Sequence, residues 1–358
     1  MAFLTLQGIS YTVDIHRGKV KWAPNIIETL VYFTLFPVVF AGPILKYHEI
    51  SEQIKSREIT LDKIPSGLCR FVVGLAKVCL IAMPLLSLSR IVTDRSNLSG
   101  IYTSAPVSLM LLGLLACVTG MYHSLSGFSD MAIGLGKMLG FTFPENFCHP
   151  QLAATVTTFW QRCFITFTGW FEEYVYESLA KKHKNNDQMV LYMLLMWLLA
   201  GLWTGPGLPH LFFGFWNFVF LLFEKIVEMR SGKTKNPLRH LYVLAVMLVS
   251  VMALNVKSTY ELTLYISNLF GMKEFGFHSD FAIQLLRENG PVLLAGLVTM
   301  FPIATKLREW FEDSIGFLRG IYSLFYLAAM AALLALLVLK LSAIHYDPAQ
   351  LVNTFLWS

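Results

Sequence analysis

The chain has 358 residues, 55% of them hydrophobic and only 14% charged, and its mean hydropathy is +0.57. A water-soluble domain carries charge on nearer ~25% of its residues, so a soluble globular fold is excluded. The net charge of +5 is scattered over short connections (46–63, 181–184, 225–239 and 306–319) that flank apolar runs, which is the habit of membrane loops and not of a nucleic-acid-binding face.

Taken in chain order, the opening MAFLTLQGISYTVDIHRGK has no basic start, long apolar core or small-residue cleavage site of the kind a signal peptide needs. Apolar runs follow at Ile26–Leu45 (interrupted by Ala41-Gly42-Pro43), Phe71–Leu88 and Val107–Leu125. Further runs lie at Met189–Trp203, Leu211–Val227, Leu241–Leu254, Val292–Thr305 and Ile321–Leu341. A helix crosses a bilayer with roughly 20 such residues, so the expectation is an all-α, polytopic transmembrane helical bundle of about eight spans. Lys77 interrupts one run and is read as snorkelling to the interface.

Two stretches are too polar for ordinary spans. SGFSDMAIGLGKMLGFTFPENF (126–147) is rich in glycine and closes on Pro144. It is read as a re-entrant or broken helix, a backbone tolerated at membrane depth only inside protein or beside water. Thr157–His183 places Phe159, Trp160, Cys163, Phe164, Phe167, Trp170, Phe171 and Tyr174 at helical spacing, which predicts an aromatic amphipathic helix at the interface. Thr259–Phe270 is a weaker helix of the same kind, and the run Lys181–Lys184 is read as a solvated loop near headgroups. The five cysteines show no CxxC spacing, and no metal site is readable.

Four stretches together resemble one family: AGPILKYHEI (41–50), SGFSDMAIGLGKMLGF (126–141), FWQRCFITFTGWFEEYVY (159–176) and GLWTGPGLPHLFFGFWN (201–217). In this order they resemble the membrane-bound O-acyltransferases (MBOAT), and within them the branch of bacterial alginate O-acetylation and D-alanyl transfer. Gly127, Ser129, Asp130, Gly134 and Gly140 match the family phrase of the second stretch. GISYTVDIHRGK fits the same branch, where a similar phrase follows several upstream helices. The resemblance therefore implies a single membrane domain over 1–358, without the family's first few helices.

It further implies a tunnel through the bundle and no resident cofactor. An acyl thioester, acetyl-CoA or a carrier-protein-linked acyl group, enters from the cytoplasmic side, and a glycan hydroxyl approaches from the other. The implied setting is the lipid bilayer of a bacterial inner membrane, with a carrier protein or partner acyltransferase as candidate partner and no nucleic acid.

A family histidine in a Leu-Trp-His-Gly phrase takes the hydroxyl's proton, a service worth roughly 100- to 10,000-fold in rate. Here the phrase reads Leu202-Trp203-Thr204-Gly205. Two further family histidine positions hold Cys163 and Asn217. Threonine is no base near neutrality, so His210 becomes the candidate base, against a histidine merely satisfied by a carbonyl near a helix start. Pro206 and Pro209 exclude one regular helix through the segment, so only a bend would carry His210 into the tunnel.

The other candidates each carry two readings. His123 lines the cavity or sits at the interface. Asp130 caps the amides that follow it or touches substrate. Cys163 is an acyl-carrying nucleophile or a packing cysteine, and Trp203, Trp216, Phe212 and Phe213 are core or tunnel wall. Two functions remain open: acyl transfer to a cell-surface glycan, and a catalytically degenerate relative acting as scaffold or acyl conduit. A transporter would carry inverted repeats with paired broken helices, and none is found.

Overall fold

The computed structural model describes residues 2–20, 26–39, 42–93, 106–180, 185–227, 236–256, 258–269, 276–312 and 316–343. Among these the secondary structure is helical, apart from an isolated antiparallel bridge between Phe147 and Cys163. The helices that carry the argument are α1 (Ala2–His16), α2 (Lys63–Val92), α3 (Val107–Met138), α4 (Asn186–Thr204), α5 (Leu208–Ile226), α6 (Pro237–Asn255), α7 (Asp280–Met300) and α8 (Gly316–Ala343).

By length and composition five described helices can cross a bilayer, namely α2, α3, α4, α6 and the 320–342 part of α8. A sixth is gained if α7 and Thr305–Phe311 are one bent span. The helical membrane architecture is as expected, while this number is below the eight read from hydropathy. One reason lies at Ile26–Leu45, where the helix Ile26–Phe33 stops and a short turn, Phe36–Val39, follows it. The predicted Thr259–Phe270 helix is present as Thr259–Leu269. The run at Lys181–Lys184 lies outside the described residues.

The glycine-rich stretch is not broken. Residues 126–138 continue α3 as one helix of 32 residues, which turns only at Leu139 and Gly140. Its glycines serve packing. A Cβ on Gly127 or Gly134 would lie 2.6–2.7 Å from the carbonyl oxygen of Gly74 or Gly67, and the reverse holds for Cβ atoms on α2. Two helices therefore touch backbone to backbone at two places two turns apart, the close approach that small residues permit in membranes.

Asp130 sits within this contact. Its Oδ1 accepts from Arg70 Nε at 3.0 Å and Nη2 at 2.9 Å, and its Oδ2 accepts from Lys77 Nζ at 2.6 Å. Arg70 also pairs with Glu145. Lys77 opens a π-helical turn, Lys77–Ala82, within α2. Both expectations here are corrected: Asp130 is mid-helix and caps no amides, and Lys77 ends on a carboxylate instead of snorkelling. A charge inside a membrane span persists when paired, and each of these two supplies the other's partner.

The predicted amphipathic helix is also divided. Val156–Trp160 ends at a turn where Phe164 has φ 53°, and Ile165–Phe171 leads into a π turn at Glu172–Tyr176. Glu224 of α5 caps the first piece, accepting from the Thr157 amide at 2.9 Å and hydroxyl at 2.7 Å and from the Val156 amide. The second piece buries Phe167, Trp170, Phe171 and Tyr174 against Phe3 and Leu6 of α1.

Candidate active site

The site is built where α4 meets α5. The helices cross at Gly201 and Gly214: a Cβ on Gly201 would overlap the His210 carbonyl, and one on Gly214 the Trp197 carbonyl. Between them Gly205, Pro206 and Gly207 break the helix, and Pro209 falls in the first turn of α5, where a missing amide hydrogen removes no helical bond. The prolines thus make the bend that a single helix could not, and the chain folds back on itself.

That return brings His210 to Thr204. The Thr204 hydroxyl donates to Gly201 O at 2.6 Å, and its Oγ1 lies 3.0 Å from His210 Nδ1. A threonine hydroxyl owns one proton, and a carbonyl can only accept. While that proton goes to Gly201, the second bond has the imidazole as donor, with hydrogen on Nδ1 and the lone pair on Nε2. The tautomer of a histidine is set by the bond its other nitrogen makes. The ring rests on Gly205, whose added Cβ would lie 2.4 Å from His210 Nε2.

Trp203, the preceding residue, lies between Phe167 (tilted, centroids 4.8 Å apart) and Phe3 (edge to face, 5.4 Å). Its indole Nε1 is buried and has no acceptor among the described residues. From Phe167 the rings continue through Phe164 and Phe147 to Tyr122, at centroid separations of 4.9, 6.1 and 5.9 Å. An aromatic wall therefore leads from Trp203 toward α3.

The remaining sequence candidates are occupied elsewhere. His123 is fully buried and mid-helix, because α3 runs on past the expected end of its span. Its two nitrogens bond Thr119 O at 2.8 Å and Thr299 Oγ1 at 2.9 Å, so it is neither interfacial nor free. Asn217 is enclosed, accepting from Trp160 Nε1 at 2.9 Å and donating to Phe213 O and Ser250 Oγ. Cys163 keeps some surface, yet burial pushes its thiol up to about 12. A thiol so protonated is a poor nucleophile, which favours the packing role.

Two clusters carried no sequence signal. Asn146 joins three of the four family-like stretches: its Nδ2 donates to Ser129 Oγ at 2.9 Å and Gly42 O at 3.5 Å, and its Oδ1 accepts from the Thr166 amide at 3.1 Å and hydroxyl at 2.9 Å. The second gathers Asp14, fully buried, with His48 Nδ1 and Tyr174 OH each 2.8 Å from its Oδ2. Beside it Glu173 pairs with Lys46 at 2.6 Å and with Lys19. Burial opposes the Glu173 charge, but hydrogen bonds and charge from the two lysines outweigh it and hold the carboxyl at about 2. Ligand atoms of Asp14, His48 and Glu173 lie within 4.8 Å of one another, a metal-like spacing. Glu173 is held by two lysines and Asp14 Oδ2 by His48 and Tyr174, while Asp14 Oδ1 has no partner among the described residues; an incoming cation would meet two ammonium groups and the Arg17 guanidinium over Tyr174. The cluster does not suit a metal.

Comparison with known proteins agrees with this architecture. The model of the membrane-bound O-acyltransferase family matches residues 17–264. The chain is 35% identical over 252 residues to a probable alginate O-acetylase of Azotobacter vinelandii, covering 70% of this chain and 49% of that protein. It is 25% identical over 241 residues to a peptidoglycan O-acetyltransferase of Helicobacter pylori, covering 60% and 45%. It is 21% identical over 245 residues to a teichoic acid D-alanyltransferase of Bacillus subtilis, covering 66% and 60%. The chain spans about half the length of the alginate O-acetylases it matches first. A bend that returns an imidazole to the Leu-Trp-x-Gly phrase therefore lies in an integral membrane protein that belongs to the membrane-bound O-acyltransferase family.

Proposed function

We propose that this protein transfers an acyl group, acetyl in the simplest case, from a thioester to a hydroxyl of a cell-surface polysaccharide. The donor is acetyl-CoA or a carrier-linked thioester, delivered at a bacterial inner membrane with a carrier or second acyltransferase as partner. One observation carries the reading: the hydrogen-bond chain Gly201 O, Thr204 hydroxyl, His210 Nδ1 leaves Nε2 as an oriented proton acceptor. The family imidazole is then displaced by six positions and handed back through Thr204, instead of being lost. His210 Nε2 takes the hydroxyl proton as the oxygen attacks the thioester carbonyl, and returns it to the departing thiolate. Thr204 is a positioning residue. The names of the relatives, which acylate alginate, peptidoglycan or teichoic acid, support a polyhydroxylated envelope polymer as acceptor.

The test is acyl transfer from a labelled acetyl thioester by the purified chain. His210→Ala removes the base and lowers turnover roughly 100- to 10,000-fold. Thr204→Ala frees the tautomer and leaves much of the activity. Parent-like turnover in both variants rejects His210 as base. A parent that consumes no thioester, and gains activity on Thr204→His, marks a degenerate scaffold.

A further inference from the structure

Among the described residues, two that are not glycine have a left-handed backbone, His149 at φ 48° and Phe164 at φ 53°. A Cβ disfavours that region, and a residue before proline is drawn to the extended one instead. His149 precedes Pro150. The two residues lie on the facing segments of one small element. It is the antiparallel bridge between Phe147 and Cys163, which Cys148 N extends by donating to Arg162 O at 2.9 Å.

Both residues are held by contacts outside the bridge. His149 Nδ1 donates to Met300 O at 2.9 Å. That carbonyl ends α7 and has no helical amide to accept from; beyond it the chain turns, with α7 and Thr305–Phe311 bent by 60°. Phe164 lies between Phe147 and Phe167, its ring within 10° of parallel to the first and 8° to the second. Its left-handed turn thus sets the ring into the aromatic wall that leads to Trp203. Strained residues persist where their surroundings over-determine them, and they gather at clamps and switches.

We propose that this bridge is a sprung gate in the aromatic wall, latched shut by His149 against the end of α7. With the latch made, Phe147 and Phe164 close the wall. When His149 leaves Met300 the left-handed residues relax, the bridge opens and the two rings part, which uncovers Cys163. The gate's use in turnover rests on the acyl-transfer reading; the latch itself does not.

The experiment times N-ethylmaleimide labelling of each cysteine by mass spectrometry, on the full chain in nanodiscs. A Cys148→Ser parent removes the exposed thiol. His149→Leu and His149→Gly both delete the donor to Met300, but only leucine keeps the left-handed cost, since glycine adopts positive φ freely. Cys163 is therefore expected to label roughly tenfold faster in His149→Leu than in His149→Gly, the cost of one left-handed residue, and faster than in the parent. Cys79 and Cys117, both buried on α2 and α3, keep their parental rates. Equal rates in the two variants, a faster rate with glycine, or a leucine rate no higher than the parent's overturn the gate. A rise shared by Cys79 and Cys117 also overturns it, because the whole bundle has then loosened. Thioester consumption is measured separately. A chain that shows the ordering and transfers nothing loses the proposed function and keeps the gate, while full turnover without the ordering discards the gate alone.

Discussion

At the α2–α3 contact and again at the α4–α5 contact, glycines let two helices meet backbone to backbone. The first pair then pairs its charged groups: each Asp130 oxygen is bonded, Arg70 is shared with Glu145, and Lys77 has its carboxylate. The second pair leaves the Trp203 Nε1 hydrogen without an acceptor among the described residues, next to the Thr204–His210 contact. Similar backbone packing thus carries a paired charge cluster in one region and an imidazole beside an unpaired indole donor in the other. Buried polar networks stabilise when every member is satisfied, and a functional site is where that rule is relaxed.

The strongest attempt to break the contrast is Gly205→Ala. The backbone there is extended, so alanine meets no conformational penalty; its methyl meets the His210 ring instead. The ring must leave its place beside Thr204, which carries the base itself away from the bend. Acyl transfer is expected to fall about 100- to 10,000-fold, or about 3–5 kcal/mol in barrier, the worth of general-base help. The melting temperature changes little. A Gly205→Ala protein with parental turnover would show that the imidazole works from another position.

Asp130→Ala probes the charge-paired side. Arg70 retains Glu145, but Lys77 loses its carboxylate in a half-buried setting. Removing one member of a buried pair costs roughly 3 kcal/mol, read as lower resistance to chemical unfolding in detergent. Asp130→Leu combined with Lys77→Met recovers most of that loss, and the surviving folded molecules transfer acyl groups normally. If Asp130→Ala silences transfer without lowering stability, Asp130 belongs to the site and the division between the regions fails.

The α2–α3 region also shows what the sequence carries and what it hides. Hydropathy alone finds the membrane class and most helices, because burial in lipid acts on composition. It misreads Ser126–Phe147, since glycine signals both a break and a close approach, and only the facing Gly67 and Gly74 decide between them. Lys77 and Asp130 each look anomalous alone, and neither names the other, because their meeting depends on helix register and a π turn. At the site the two prolines announce a bend, but its direction, which returns His210 to Thr204, comes from the tertiary crossing at Gly201 and Gly214. Asn146 gave no pattern at all, as a single side chain that bonds three separate segments has no periodicity to detect.

Glu173 supplies the mildest test, a carboxylate paired with two lysines that stay partly in water. Its carboxyl titrates at about 2 when folded against 4.5 as the reference. A lowered folded value means the unfolded chain binds the proton first as pH falls. The stabilisation is therefore complete above about pH 4.5 and is lost progressively toward pH 2. Solvent screening keeps it small, about 1 kcal/mol. Glu173→Gln removes this slope, so the stability difference from the parent is largest at neutral pH and vanishes near pH 2. A difference that persists at pH 2 would show that Glu173 acts through packing with Tyr174 and not through its charge. The Lys19 and Lys46 pairs would then stabilise no more than ordinary surface contacts.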